Sequence, residues 1–290
     1  MEWLATAKVN LFLSVLDRRP DGYHNVETVY QSVALADRLH FEAAGGEIAL
    51  KCVGADLPTG RENLVVRAAA LMQSRFRRRV PGLRIVLEKR IPVGSGLGGG
   101  SADAAVTLKA CNEMFRLGLT AEQLRGLAAE IGMDVPFLIE GGRAIGRDRG
   151  ERLEALPMPE PGWAVIVAPA IAVSTRWAYE QIDPDGSGQV PSVDAFVERL
   201  RVEPLTGWVK ACFNAFEAVV FRAHPQLKAL KEQLRELGCA GAFLSGSGAA
   251  VVGLTDDPER AAWVVENLAG PFQIVEVAAF CAQAGTMAAG

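Results

Sequence analysis

Residues 5–15 alternate with a period of two. Val9, Leu11, Leu13 and Val15 fall on one face, and Lys8, Asn10, Phe12 and Ser14 on the other, which predicts a β-strand. A lysine next to an asparagine on one face of an apolar strand is unusual, because both are seldom buried without partners. A solvated edge strand is the alternative reading. Residues 26–33, 38–41 and 48–53 are expected to be further strands. The period then lengthens. Leu64, Val65, Ala68, Leu71 and Met72 form the apolar stripe of a helix over 63–76, with Asn63 as its N-cap. Residues 83–91 read as a strand and 102–115 as an Ala-rich helix. Thr120 and Gln123 form a capping box for another helix, with Leu124, Leu127, Ala128 and Ile131 on one face and Gly132 as its stop.

The second half continues in both periods. Residues 163–167 and 274–280 read as strands. Residues 174–181, 195–200, 214–220, 225–237 and 259–268 read as helices, giving a layered α/β arrangement. The Pro-rich stretch P-M-P-E-P-G at 157–162 is the expected linker between a domain over 1–156 and another over 163–290. Asp183, Asp185, Ser187 and Gly188 match part of a calcium-binding loop. Pro191 and Asp194 break that pattern where ligands are needed, so a surface loop is expected there.

Between the strand ending near Ile91 and the helix at 102 lies I-P-V-G-S-G-L-G-G-G-S-A. Gly94, Gly96, Gly98, Gly99 and Gly100 crowd into it. Strand, glycine loop and helix start make an anion cradle. Glycines allow backbone N–H groups to face phosphate oxygens, and the helix N-terminus adds a positive dipole end. The literal G-x-G-x-x-G match suggests a dinucleotide enzyme, but two successive helices do not fit its βαβ unit. The Walker A pattern fails because no lysine precedes Ser101. A tight turn with close helix packing is the plain structural alternative.

Three other segments carry candidate chemistry. R-R-P-D-G-Y-H at 18–24 is a turn, with Pro20 and Gly22 setting its backbone. Tyr23 and His24 just beyond it are either surface residues or a clamp for a flat ring. Asp134, ahead of Pro136, either caps a short helix or supplies a carboxylate. Residues 241–252 hold a second glycine-rich turn between two apolar segments, for which a plain hairpin is the simplest reading.

Composition changes this picture little. The 290 residues are 50% hydrophobic and 22% charged, with a net charge of −4, so nothing global favours nucleic acid. The basic run at 75–79 reads as a solvated helix end. Five unpatterned cysteines fit reduced thiols in the cytoplasm, and neither a signal peptide nor an apolar run long enough to span a bilayer is expected.

Three stretches in order resemble the three motifs of the GHMP small-molecule kinases: A-K-V-N-L-F-L at 7–13, the glycine loop at 92–105, and L-S-G-S-G-A-A at 244–250. The resemblance covers nearly the whole chain. It implies an α+β, two-domain GHMP kinase fold, with an N-terminal ribosomal-S5-like α/β domain and a C-terminal ferredoxin-like α/β domain. R-P-D-G-Y-H, E-N-L-V-V-R-A-A at 62–69 and G-M-D-V-P-F at 132–137 resemble one branch of that family. Its members use ATP to phosphorylate the 2-hydroxyl of a cytidyl-diphosphate-linked methylerythritol, in the non-mevalonate route to isoprenoid precursors. Ala102 and Met133 depart from the residues common there, Ser and Ala.

Carried over residue by residue, the resemblance implies Asp134 as catalytic acid/base and Lys8 as its partner. ATP would be held by Asn63, Pro92, Val93, Gly94, Ser95, Gly96, Leu97, Gly98, Gly99, Gly100, Ser101 and Ala102. Ser101 would be a Mg²⁺ or phosphate contact. The substrate would be held by Asn10, Tyr23, His24, Tyr179, Gly246, Ser247 and Gly248, with Trp177 a rival to Tyr179. No nucleic-acid, membrane or obligate protein partner is expected. A homoserine- or mevalonate-type kinase, and a non-catalytic nucleotide-binding protein, are the alternatives. The first does not explain P-D-G-Y-H, and loss of Lys8 or Asp134 would have favoured the second.

Overall fold

The computed structural model describes residues 1–158, 161–182 and 191–287. Pro159 and Glu160 of the expected linker, and 183–190 of the calcium-like stretch, lie outside the described residues.

The chain opens with two long strands, β1 (Glu2–Arg18) and β2 (His24–Ala44), then β3 (Ile48–Val53), α1 (Leu64–Arg75) and β4 (Gly82–Glu88). Three helices follow, α2 (Gly99–Met114), α3 (Ala121–Ala129) and α4 (Val135–Glu140), and then the hairpin β5 (Arg143–Arg147) and β6 (Arg152–Leu156). The second half runs β7 (Trp163–Pro169), α5 (Thr175–Gln181), α6 (Val193–Val202), α7 (Leu205–Trp208) and β8 (Phe213–Asn214). It ends with α8 (Glu217–Ala223), α9 (Pro225–Glu236), β9 (Gly241–Leu244), β10 (Val251–Thr255), α10 (Pro258–Asn267), β11 (Phe272–Ala279) and β12 (Thr286–Met287).

Among the described residues these strands form two sheets. One is ordered β12-β1-β2-β4-β3, with β5 and β6 extending from β2 and β8 beside β1; the other is the antiparallel β11-β7-β10-β9. Helices α1 and α2 cover the first sheet, burying Val65, Met72, Val106 and Leu108 against Phe41, Ile85 and Leu87. A second cluster joins the two sheets through Val9, Phe12, Ile166, Trp208 and Val252.

The helix caps follow the sequence. Asn63 accepts from the Val65 amide, Thr120 and Gln123 close the capping box, and Ser174 accepts from the Trp177 amide. The strands differ more. Residues 26–33 and 38–41 are one strand, bent where Thr6 pairs with Ala36 but Ala7 with Val33. That step inserts Ala34 and Leu35 as a bulge, so the polar residues after it face a new environment without ending the strand.

Nor is β1 a solvated edge: β2 lies along one side, and β12 and β8 pair with it along parts of the other. Its alternation also breaks. Asn10 pairs with Tyr30 but Phe12 with Val29, so Leu11 is extra. One extra residue swaps the faces beyond it. Phe12 joins Val9 and Leu11 in one core, and Leu13 and Val15 pass to another. Residues 213–214 are strand and the helix expected from 214 begins at Glu217, because Asn214 Oδ1 takes up the Phe216 amide in a turn. The hairpin β5–β6 had no sequence expectation; its arginines and glutamates hide the period.

Candidate active site

A cleft of about 1240 Å³ runs between the two sheets and gathers residues from nearly every segment singled out in the sequence. Its wall is the glycine loop. Gly94, Gly96 and Gly98 have φ of 65°, 80° and 73°, the left-handed region, while Gly99 and Gly100 already belong to α2. The helix thus starts three residues earlier than its apolar pattern suggests, because Gly99–Ser101 carry no apolar signal. Gly96 is required for a second reason: a Cβ there would lie 2.0 Å from the Ser245 carbonyl oxygen. Loop and second glycine turn touch backbone to backbone, with the Ala250 amide donating to Ser95 O at 3.0 Å.

Lys8 lies beneath the loop, 3% exposed. Its ammonium donates to Asn10 Oδ1 at 2.7 Å and to Gly96 O at 3.0 Å, and pairs with Asp134 Oδ2 at 3.3 Å. Asn10 in turn donates to Thr28 Oγ1 at 2.8 Å, and Thr28 donates to Phe12 O at 2.7 Å. This relay fixes which way the Asn10 amide points. Asp134 stands at the N-terminus of α4 but makes no side-chain cap bond. Its Oδ1 accepts from the Tyr30 hydroxyl at 3.0 Å. Burial, and then the Asp134 charge, push the Tyr30 phenol well above its ordinary range, so it remains a donor. The Asp134 side chain is 33% exposed and faces the cleft.

The far end of the cleft is aromatic. The turn at 19–23 is closed by the Arg19 amide on Tyr23 O at 2.7 Å, with Gly22 at φ 87°. It presents Tyr23, 53% exposed, with the Arg149 guanidinium 5.6 Å from its ring centre. His24 stacks on Tyr179, with centroids 5.2 Å apart and planes 15° from parallel. Burial, and then the Arg18 cation, lower the His24 pKa, keeping the imidazole neutral at pH 7. Burial pushes the Tyr179 phenol up to about 12. Trp177 lies against His224 and does not line the cleft.

On the loop's other side is a second buried lysine. Lys89 pairs with Asp37 and, at 2.8 Å, with Asp103 Oδ2. Asp37 Oδ1 accepts from the Arg90 and Ile91 amides at 2.6 and 2.9 Å, pinning the chain as it enters the loop. Burial outweighs Lys89 and holds the Asp103 carboxyl up to about 8.

Of the residues expected to bind, Lys8, Asn10, Tyr23, His24, Asn63, Pro92–Gly96, Gly98–Ser101, Asp134, Tyr179, Gly246 and Ser247 line this one cleft. Leu97 and Ala102 bury their side chains in the two cores beside it, and Gly248 lies behind the turn. Sequence reading missed Tyr30, Lys89, Asp103 and Arg149. Tyr30 was findable only from the register that sets it opposite Asn10. The others lie on segments whose charges look ordinary.

The GHMP kinases N terminal domain model matches residues 63–142, and the GHMP kinases C terminal model matches 205–273. The chain is 45% identical over 268 residues to the 4-diphosphocytidyl-2-C-methyl-D-erythritol kinase of Moorella thermoacetica, covering 91% of this chain and 93% of that protein. The kinase of the same name from Pelotomaculum thermopropionicum is 46% identical over 260 residues, covering 89% and 90%. A crystal structure of 4-(cytidine 5'-diphospho)-2C-methyl-D-erythritol kinase superposes with a TM-score of 0.81 at 39% identity, over 97% of this chain and 99% of that one. Homoserine kinase from Cytophaga hutchinsonii shares the fold, with a TM-score of 0.76 at 20% identity over 99% and 97%.

Proposed function

The chain belongs to the 4-diphosphocytidyl-2-C-methyl-D-erythritol kinase family of the GHMP kinases, and from that membership we infer a specific division of labour in the cleft. It is an ATP-dependent small-molecule kinase with GHMP N- and C-terminal domains. It phosphorylates the 2-hydroxyl of 4-diphosphocytidyl-2-C-methyl-D-erythritol, in the non-mevalonate supply of isoprenoid precursors.

Asp134 accepts the proton of the attacking hydroxyl. Its exposed edge leaves room for that hydroxyl, while Tyr30 and Lys8 hold the other side of the carboxylate. Lys8 is positioned by Asn10 and Gly96 O, so it also faces the charge that develops during transfer. The α2 N-terminus and the amides of 94–100 receive the phosphates, and Asn63 sits on the nucleotide side. Mg²⁺ would be held by the ATP phosphates, with Ser101 on the cleft wall as its protein contact, and would neutralise phosphate charge.

Tyr23, His24 and Tyr179 take the cytosine. A neutral imidazole offers one donor and one acceptor to the base edge, and the stacked rings supply a flat wall. Gly246 and Ser247 close over the substrate, with Gly248 behind them in the turn. The cytoplasm is the compartment we assign, supported by five unpaired thiols. No helix among the described residues is long and apolar enough to cross a membrane.

The observation that carries this reading is the Lys8–Asp134 pair beneath a phosphate loop, in one cleft with the His24–Tyr179 stack. ATP consumption is measured with 4-diphosphocytidyl-2-C-methyl-D-erythritol beside homoserine and mevalonate. Turnover with the cytidyl substrate alone is expected; equal or better turnover with homoserine or mevalonate would overturn it.

A further inference from the structure

Asn214 is 3% exposed and lies outside the cleft. Its side chain nevertheless reaches toward it. The amide donates to Leu244 O at 2.7 Å and to Gly246 O at 2.8 Å, and its oxygen accepts from the Phe216 amide at 2.9 Å. All three bonds are backbone contacts, so they fix chain path. The backbone of β8 is equally committed. Asn214 pairs with Leu13 of β1, and the Ala215 amide donates to Leu13 O at 2.9 Å. Leu13 is five residues from Lys8 on the same strand. Glu217 adds a bond, accepting from the Leu244 amide at 3.0 Å while held by Lys231 at 2.6 Å.

The turn at 245–248 meets the phosphate loop directly. Gly96 O accepts both Lys8 Nζ, at 3.0 Å, and Ser245 Oγ, at 3.1 Å. We propose that Asn214 is a positioning residue for phosphoryl transfer: it locks the second glycine turn to strand β1, and through Ser245 and Gly96 it fixes the carbonyl that orients Lys8. The close approach of Gly96 to Ser245 means that a displaced turn cannot be absorbed without moving the loop. The inference rests on the kinase reading of the cleft.

Asn214→Asp tests it. The variant keeps an acceptor for the Phe216 amide but loses both donors and sets an oxygen against two carbonyls. Misplacement of about an ångström costs up to ~100-fold, so kcat is expected to fall roughly 10- to 100-fold while the KM for ATP changes less than about threefold. Leu227→Ala, a core change on α9, is the control for lost stability and should leave kcat near wild type at temperatures where it stays folded. Hydrogen exchange over residues 244–250 should speed up in Asn214→Asp, which needs no turnover to read. Ser245→Ala, a small change, should lower kcat in the same direction, and the double variant should fall short of the product of the two effects. Unchanged kcat with unchanged exchange would overturn the proposal. So would a loss in Leu227→Ala matching that of Asn214→Asp, or an unaffected Ser245→Ala. Failure of the wild-type protein to phosphorylate the cytidyl substrate would instead remove the kinase reading, and exchange would still decide the role of Asn214.

Discussion

Two lysines flank the glycine loop, and their side chains are equally buried at 4% exposed. Neighbouring glycines lie over them: a Cβ on Gly98 would meet Lys8 Cγ at 2.9 Å, and one on Gly99 would meet Lys89 Nζ at 3.1 Å. Their carboxylates differ. Asp37 and Asp103 are 0% and 2% exposed; Asp37 takes Lys89 and two backbone amides, and Asp103 takes Lys89 through Oδ2 alone, whereas Asp134 is 33% exposed and keeps an edge toward the cleft. Burial of the cation is shared; what separates the two pairs is whether the anion remains in contact with water. A closed pair costs desolvation and returns rigidity. An open one can exchange a proton.

The sharpest break between the two regions is kinetic. Asp134→Asn should lose roughly 10²- to 10⁴-fold in kcat, the range for a removed general base, with ATP binding retained in a nucleotide titration. Near-normal turnover would end the assigned role. Lys89→Met should show the opposite profile. It leaves the buried Asp37 and Asp103 without their cation and should cost about 3 kcal/mol of stability in denaturant unfolding. Lys8→Met should cost less stability than Lys89→Met but far more turnover; matching profiles would erase the distinction.

Tyr23→Ala with His24→Ala probes the cleft's far end. KM for the cytidyl substrate should rise roughly 10- to 100-fold, as expected when a stacked and hydrogen-bonded ring is lost, while KM for ATP holds. Unchanged kinetics would move base recognition elsewhere.

A further contrast is a pH dependence. The Asp103 carboxyl is raised to about 8 in the folded protein from its ordinary 3.8. The folded state therefore holds a proton that the unfolded chain releases. This stabilisation is complete below pH 4 and is lost as pH rises through about 8. Asp103→Asn removes the titration, so the Tm of the variant relative to wild type should be higher at pH 9 than at pH 5. A constant difference would mean that Asp103 does not titrate in that window.

Local chemistry made much of this molecule legible. Asn63, Thr120, Gln123 and Ser174 cap helices because capping depends on residues within one turn. The glycine loop shows itself because left-handed backbone at Gly94, Gly96 and Gly98 selects glycine whatever surrounds it. Lys8 and Asn10 stood out because their polarity contradicts the strand that holds them.

The tertiary structure decided what depends on partners distant in sequence. Tyr30 reaches Asp134 across 104 residues, and Lys89 reaches Asp37 across 52. The bulge at Leu11 is set by pairing with β2 and cannot be read from the alternation of β1. Asn214 looks like the start of a helix until its amide finds Leu244 and Gly246 some thirty residues on. Sequence by itself determined where the glycine loop lies and which charged residues needed explaining, since backbone conformation and burial cost act locally. Only the folded chain decided which lysine pairs with an open carboxylate and which one with closed carboxylates. That depends on how much of a distant carboxylate remains in contact with water.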